Sequence, residues 1–191
     1  MHGRGHALRL ASVKVINYAS PQARKTGIAV SKIALGTMYF GSETPEEDAF
    51  AILDTFVETG GNLIDTADVY VGGASEQIIG RWFAARPRDI IDRVILASKG
   101  RASRGQEVNS VGLSRRYLHR ALNASLDRLG VDTIDLYQLH ASDMHTPAEE
   151  TLSFLDDAAS SRATVRRWLR SSDWTRLKPQ VECSSRLEKV D

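Results

Sequence analysis

Two carboxylates and a phenol stand close together in NLIDTADVY, residues 62–70, directly behind a short apolar run. A phenol with its usual pKa of about 10 is a poor proton donor at neutral pH, so a tyrosine acting as general acid needs a neighbouring cation to ease loss of its proton. Lys99, near the end of RVILASKG, is of the right type, and a carboxylate such as Asp65 would keep that ammonium charged and in place. His140, closing TIDLYQLH, could donate a hydrogen bond to a carbonyl oxygen or share in proton transfer. Asp65, Tyr70, Lys99 and His140 together would be a general acid poised to protonate an oxygen as it becomes an alkoxide. Singly, each has a structural reading: Asp65 capping the turn after its strand, Tyr70 packing half-buried, Lys99 solvated, His140 satisfied within the fold. Asp68 reads as a loop residue bonded to backbone or solvent, and His119 and His145 as surface residues. Joint placement is what favours a site, whether catalytic or binding.

That placement depends on the elements carrying the four residues. From Gly27 to about Ala159, short apolar runs (AVSKIALG, NLIDTA, RVILASKG, TIDLYQLH) alternate with amphipathic stretches, the signal for strands alternating with helices. TPEEDAFAILDTFVETGG reads as a helix with Thr44 as N-cap, Pro45 at its first position, an apolar face of Ala49, Ile52, Leu53, Phe56 and Val57, and Gly60 as its stop. SEQIIGRWFAARP reads as a second helix capped by Ser75, with Ile78, Ile79, Trp82 and Phe83 as its stripe. LSRRYLHRALNASLDRLG is a third, capped by Ser114 and closed by Gly130, and TPAEETLSFLDD a fourth with Thr146 in the cap role. Four βα units imply a parallel sheet with helices outside, in an α/β fold whose ligands lie at the carboxyl ends of the strands. The residues ending the four runs are Thr37 and Met38, Asp65, Lys99 and His140, so an acid, a lysine and a histidine converge on one rim. LGTMYFGS and VGGASE carry neither the dinucleotide-binding glycine turn nor a P-loop lysine, which favours a barrel over a doubly wound sheet.

At 191 residues the chain suits one sizeable domain, and no apolar run approaches the ~20 residues of a membrane-spanning helix. One cysteine, Cys183, excludes an internal disulfide framework, and no Cys/His spacing suggests a metal site, so a cytoplasmic, reducing location is the expectation. The net charge of +1 conceals an asymmetry: residues 1–26 carry five Lys/Arg and no acid, 27–159 twelve against twenty, and 160–191 eight against four. Neither basic end has the interleaved aromatics or dense cationic cluster of a nucleic-acid binder, so nucleic acid is not an expected partner. Residues 1–26 read as a poorly ordered basic extension, 27–159 as the folded unit, and 160–191 as a separate basic segment.

The segments IALGTMYFGS, GGNLIDTADVY with GGASEQIIGRW, VILASKG, VGLSRRYLHRALNASLDRLGVDTIDLYQLH and TPAEETLSFLDD resemble, in order and spacing, the first half of an aldo-keto reductase. The resemblance covers about residues 24–158. It implies a (β/α)8 TIM barrel that uses NADP(H), or less often NAD(H), to reduce a small-molecule aldehyde or ketone. It places the family's catalytic tetrad on Asp65, Tyr70, Lys99 and His140: Tyr70 as proton donor, Lys99 easing that donation, Asp65 holding Lys99, and His140 orienting the carbonyl. It also brings the loop of Thr37 and Met38, with Asp65, to the nicotinamide side of the site.

A barrel of this kind usually needs about 250 residues, and here four βα units account for the recognisable sequence. The expectation is therefore a barrel truncated after about four units. Ser172 and Asp173, near the place where the family's fifth strand ends, receive no role because the run before them is short and interrupted by arginine. The family's later strands supply the surface under the nicotinamide and the basic residues for the cofactor's phosphates, and the likeness fades before them. A basic, serine-rich shift at both ends beside a clean middle suggests a change of reading frame or gene boundary near residue 159. Two other readings accompany the reductase: a non-catalytic, cofactor-sensing subunit that keeps the tetrad, and an inactive remnant. Substrate identity and oligomeric state have no signature in the sequence.

Overall fold

A computed structural model describes residues 28–101 and 109–160 with their side chains and, beyond them, the backbone of residues 165–168. Five strands, β1 (Ala34–Gly36), β2 (Leu63–Asp65), β3 (Ile95–Gly100), β4 (Ile134–Leu139) and β5 (Val165–Trp168), pair side by side in chain order, every neighbour parallel. Parallel neighbours cannot be joined by a tight turn, and the crossovers are helical: α1 (Glu46–Glu58), α2 (Ala74–Ala84) with the single-turn α3 (Arg88–Ile91), α4 (Arg115–Leu129) and α5 (Ala148–Ser160). Strictly sequential order is that of a barrel wall, whereas a doubly wound sheet places later strands on both sides of the first. The partial α/β barrel expected from the sequence is the observed architecture. It continues one strand further than read, because Ile134 and Leu136 of β4 pair with Val165 and Arg167 of β5 in spite of the arginines that obscured that run. The basic extension at 1–26, and the residues after 168 including Ser172, Asp173 and Cys183, lie outside the described residues.

Strand residues alternate between the two faces of the sheet. Ile64, Leu96, Ile134 and Tyr137 are buried, and they share one core cluster with Leu53 of α1, Ile79 and Trp82 of α2, Leu118 and Leu129 of α4 and Leu155 of α5. Burying each such side chain stabilises the fold by about 1.5–3 kcal/mol. Gly80 lets α2 meet the end of α4, since a Cβ there would run into the carbonyl of Arg128 and lie 2.9 Å from the Leu129 oxygen. On α1, Ala49, Leu53 and Val57 are buried as expected, but Ile52 is exposed.

Helix caps follow the expectation only in α4, where the Ser114 hydroxyl accepts from the Tyr117 amide at 3.3 Å and Gly130 closes the helix at φ 64°. Two of the other three expected caps do not form. Helix α1 follows Pro45 with no side-chain cap, and the Thr44 backbone instead closes the preceding loop by accepting from the Gly41 amide at 2.9 Å. Helix α2 starts from Gly73 at φ 97°, so Ser75 falls inside it and is buried. Thr146 spends its hydroxyl on Asp143 at 2.6 Å. Asp143 also accepts from the amides of Leu113 and His145 at 2.8 and 2.9 Å, which together hold its carboxyl down to about 2 and clip the loop before α4 to the loop before α5.

Candidate active site

The parallel register delivers the chemical residues to one rim. Asp65 ends β2 level with Ala97, Lys99 on β3 is level with Gln138 on β4, and His140 follows β4 with its amide bonded to the Gly100 carbonyl at 3.1 Å. The Lys99 ammonium donates to Asp65 Oδ2 at 2.6 Å, to the Thr66 carbonyl at 2.9 Å and to the Tyr70 phenol oxygen at 3.2 Å. Its three donor hydrogens thus have three oxygen acceptors. The other oxygen of Asp65 accepts from the Gln138 amide at 3.1 Å, which fixes the carboxylate in the plane where it meets Lys99. Asp65 and Lys99 keep 22% and 15% of their side chains in contact with solvent, so the pair faces the open side of the rim instead of the core.

Tyr70 and His140 meet edge to face, ring centroids 5.8 Å apart. Burial, then the positive charge of Lys99, pushes the His140 imidazole below its ordinary pKa, so it is neutral around pH 7 and can donate from one ring nitrogen. Its Nδ1 is buried without a hydrogen-bond partner. Tyr70 opens a 3-10 turn, Tyr70–Gly73, in which Val71 sits at φ 48° and Gly72 at φ 65°. A β-branched residue in the left-handed region is strained by about 1–3 kcal/mol, and here the strain adjoins the phenol.

The two expected residues after β1 separate. Thr37 is fully buried: its hydroxyl donates to the Asp65 carbonyl at 3.1 Å and accepts from Ser75 at 2.9 Å, and Ser75 also lies 3.1 Å from the Thr66 hydroxyl. The side chain of Thr37 therefore braces the rim from behind. Met38, 47% exposed, is the member of the pair that a ligand can touch. Among the described residues no group of three or more His, Cys, Asp or Glu is arranged to hold a metal ion, and no helix is long and apolar enough to cross a membrane.

A family model described as the Aldo/keto reductase family matches residues 32–161. The chain belongs to the aldo-keto reductase family. An oxidoreductase of Bacillus subtilis (strain 168), YrpG, is 35% identical over 85% of this chain and 52% of its own. The norsolorinic acid reductase stcV of Emericella nidulans is 40% identical over 68% of this chain and 36% of its own. Among solved structures, the holo form of aldo-keto reductase AKR11C1 from Bacillus halodurans superposes with a TM-score of 0.64 at 34% identity, covering 75% of this chain and 47% of that one. The chain thus spans about half the length, or less, of these relatives.

For an aldo-keto reductase the relevant fit is to the reacting end of a nicotinamide cofactor. The rim suits it in one respect: the exposed Met38 directly follows Thr37, whose amide and hydroxyl are bonded to the Asp65 carbonyl. Three residues missed by the sequence reading support this aldo-keto reductase rim. Gln138 was legible in principle, because it shares the sheet face of His140's neighbour Lys99 by register. Glu76, fully buried in α2, accepts from the Ser98 hydroxyl at 2.6 Å and pairs with Arg128 of α4 at 2.7 Å, tying the outer side of β3 to two helices. Tyr117 donates its phenol hydrogen to Asp68 at 3.0 Å. Asp68 is accordingly no solvated loop residue: burial, against the help of that hydrogen bond, raises its carboxyl to about 6.

Proposed function

We propose that this chain carries the catalytic half-site of a carbonyl reductase that converts small aldehydes or ketones to alcohols, with NADP(H) as cofactor and NAD(H) as the other candidate. The observation that carries the reading is the Lys99 ammonium, bonded at once to the Asp65 carboxylate and to the Tyr70 phenol oxygen. The nicotinamide, when bound, supplies the hydride to the carbonyl carbon; Met38 and Asp65 would line its place. Everything else is the work of this chain. His140 donates a hydrogen bond from its neutral imidazole to the carbonyl oxygen and fixes the angle of the C=O bond. As that oxygen gains charge, Tyr70 passes it the phenol proton, forming the alcohol O–H bond. Negative charge left on the phenol oxygen falls on the hydrogen bond from Lys99, and solvent returns the proton. Asp65, held by Gln138, keeps Lys99 in place throughout. Names of relatives such as norsolorinic acid reductase and versiconal hemiacetal acetate reductase support a carbonyl-bearing small molecule as the substrate class. A cytoplasmic location fits the single cysteine.

Titration of the purified chain with NADPH, followed by nicotinamide fluorescence, and turnover of simple aldehydes, followed by loss of nicotinamide absorbance, test the reading. A positioned general acid contributes about 10²–10⁴-fold, so Tyr70→Phe should lower kcat by that factor while leaving cofactor binding in place. Full activity in Tyr70→Phe overturns the assignment. Binding without turnover in the parent favours a cofactor-sensing subunit, and no binding removes both descriptions.

A further inference from the structure

Asp68 is the residue of NLIDTADVY that the reaction above leaves unused, yet it is tied at both ends. Its amide donates to the Lys99 carbonyl at 3.0 Å, and its carboxylate accepts from the Tyr117 phenol at 3.0 Å. Tyr117 is itself immobile: it is buried in the first turn of α4, with its amide held by the Ser114 cap at 3.3 Å. Two residues beyond Asp68, the Tyr70 amide bonds back to the Ala67 carbonyl at 3.2 Å, and Val71 follows in a strained left-handed conformation. A loop with strain built into it does not hold its shape by local preference, so an outside tie has to fix it. Thr66 turns its hydroxyl to Ser75 and Tyr70 its phenol oxygen to Lys99, which leaves Asp68 as the side chain joining this stretch to α4.

We propose that Asp68 and Tyr117 form a positioning pair that docks the Tyr70 loop on the start of α4 and so sets the phenol at hydrogen-bonding distance from Lys99. The importance of Tyr70 rests on the reductase reading; the docking does not. Hydrogen exchange of backbone amides reads the docking directly. In Tyr117→Phe and in Asp68→Ala, exchange of the amides of residues 68–73 should accelerate roughly tenfold, the scale of one lost buried hydrogen bond, with the amides of β3 unchanged. Asp68→Asn keeps an acceptor for the phenol and should restore most of the protection lost in Asp68→Ala. In turnover, the two disruptive variants should lose about tenfold in kcat at similar KM, because the proton donor is displaced while binding surfaces remain. Acceleration spread equally through β3, or protection of residues 68–73 unchanged in both disruptive variants, overturns the pair. If the parent chain turns nothing over, the reductase reading falls and exchange alone decides the docking.

Discussion

Replacing Asp68 with asparagine removes one ionisation from a place where the fold resists it, and the consequence for stability has a definite sign. The folded carboxyl is raised from 3.8 to about 6, chiefly by burial and further by the charge of Glu76, against the opposing Tyr117 hydrogen bond, the Arg101 amide and the charge of Arg128. The phenols of Tyr117 and Tyr137 and the cation of Arg128 are the titratable or charged groups facing it from α4 and β4, and Glu76 faces it from α2. Because the folded value exceeds the unfolded one, the folded chain binds the extra proton between the two. The stability contribution is whole below the unfolded value and lost as pH rises through about 6. A shift of roughly two units sets an upper limit of about 3 kcal/mol, and residual solvent contact places the expected effect at about 1–3 kcal/mol. Asparagine stays neutral, and its carbonyl still accepts from Tyr117. Urea denaturation of parent and Asp68→Asn, followed by fluorescence of the buried Trp82, should show the variant gaining about 1 kcal/mol between about pH 5 and about pH 8 relative to the parent. Other titrating groups are common to both chains and cancel. A difference that stays flat across that range would refute the reasoning.

Two further substitutions probe how the rim is held from behind. Arg128→Met strands the fully buried Glu76 without its cation and should cost about 3–5 kcal/mol in urea denaturation; adding Glu76→Leu should recover much of the loss, and additive losses in the double variant would count against the pair as described. Gly80→Ala pushes a methyl group into the Arg128 carbonyl at the α2–α4 contact, so a loss of about 1–3 kcal/mol is expected, and a calorimetric scan showing no fall in Tm would contradict the close approach.

Strands and long helices were legible because hydrophobic periodicity is written locally, and the meeting of Asp65, Tyr70, Lys99 and His140 followed because parallel strands bring their ends to one rim. Caps were less legible. Ser75 and Thr146 have the right chemistry for a cap, but Thr37, 38 residues away, and Asp143, three residues before Thr146, offer their hydroxyls other partners. Asp68, read as bonded to loop backbone or solvent, does take a backbone hydrogen bond from Arg101, but its Tyr117 partner was missed, since Tyr117 lies 49 residues away and nothing in NLIDTADVY announces it. Strand β5 was passed over because arginines break its apolar run, while its identity as a strand comes from backbone pairing with β4. Thr37 was assigned to the ligand by position, but position at a strand end does not fix the face to which a side chain turns.

Ser75 joins the ends of β1 and β2 to α2 through the hydroxyls of Thr37 and Thr66, and Glu76 next to it joins β3 to α4. Both ties run along the helix side of the wall, beneath the four chemical residues. The rim that carries Asp65, Lys99 and His140 is thus held from its helix side. Side chains on the open side of the rim can therefore vary without loosening the ties that hold it.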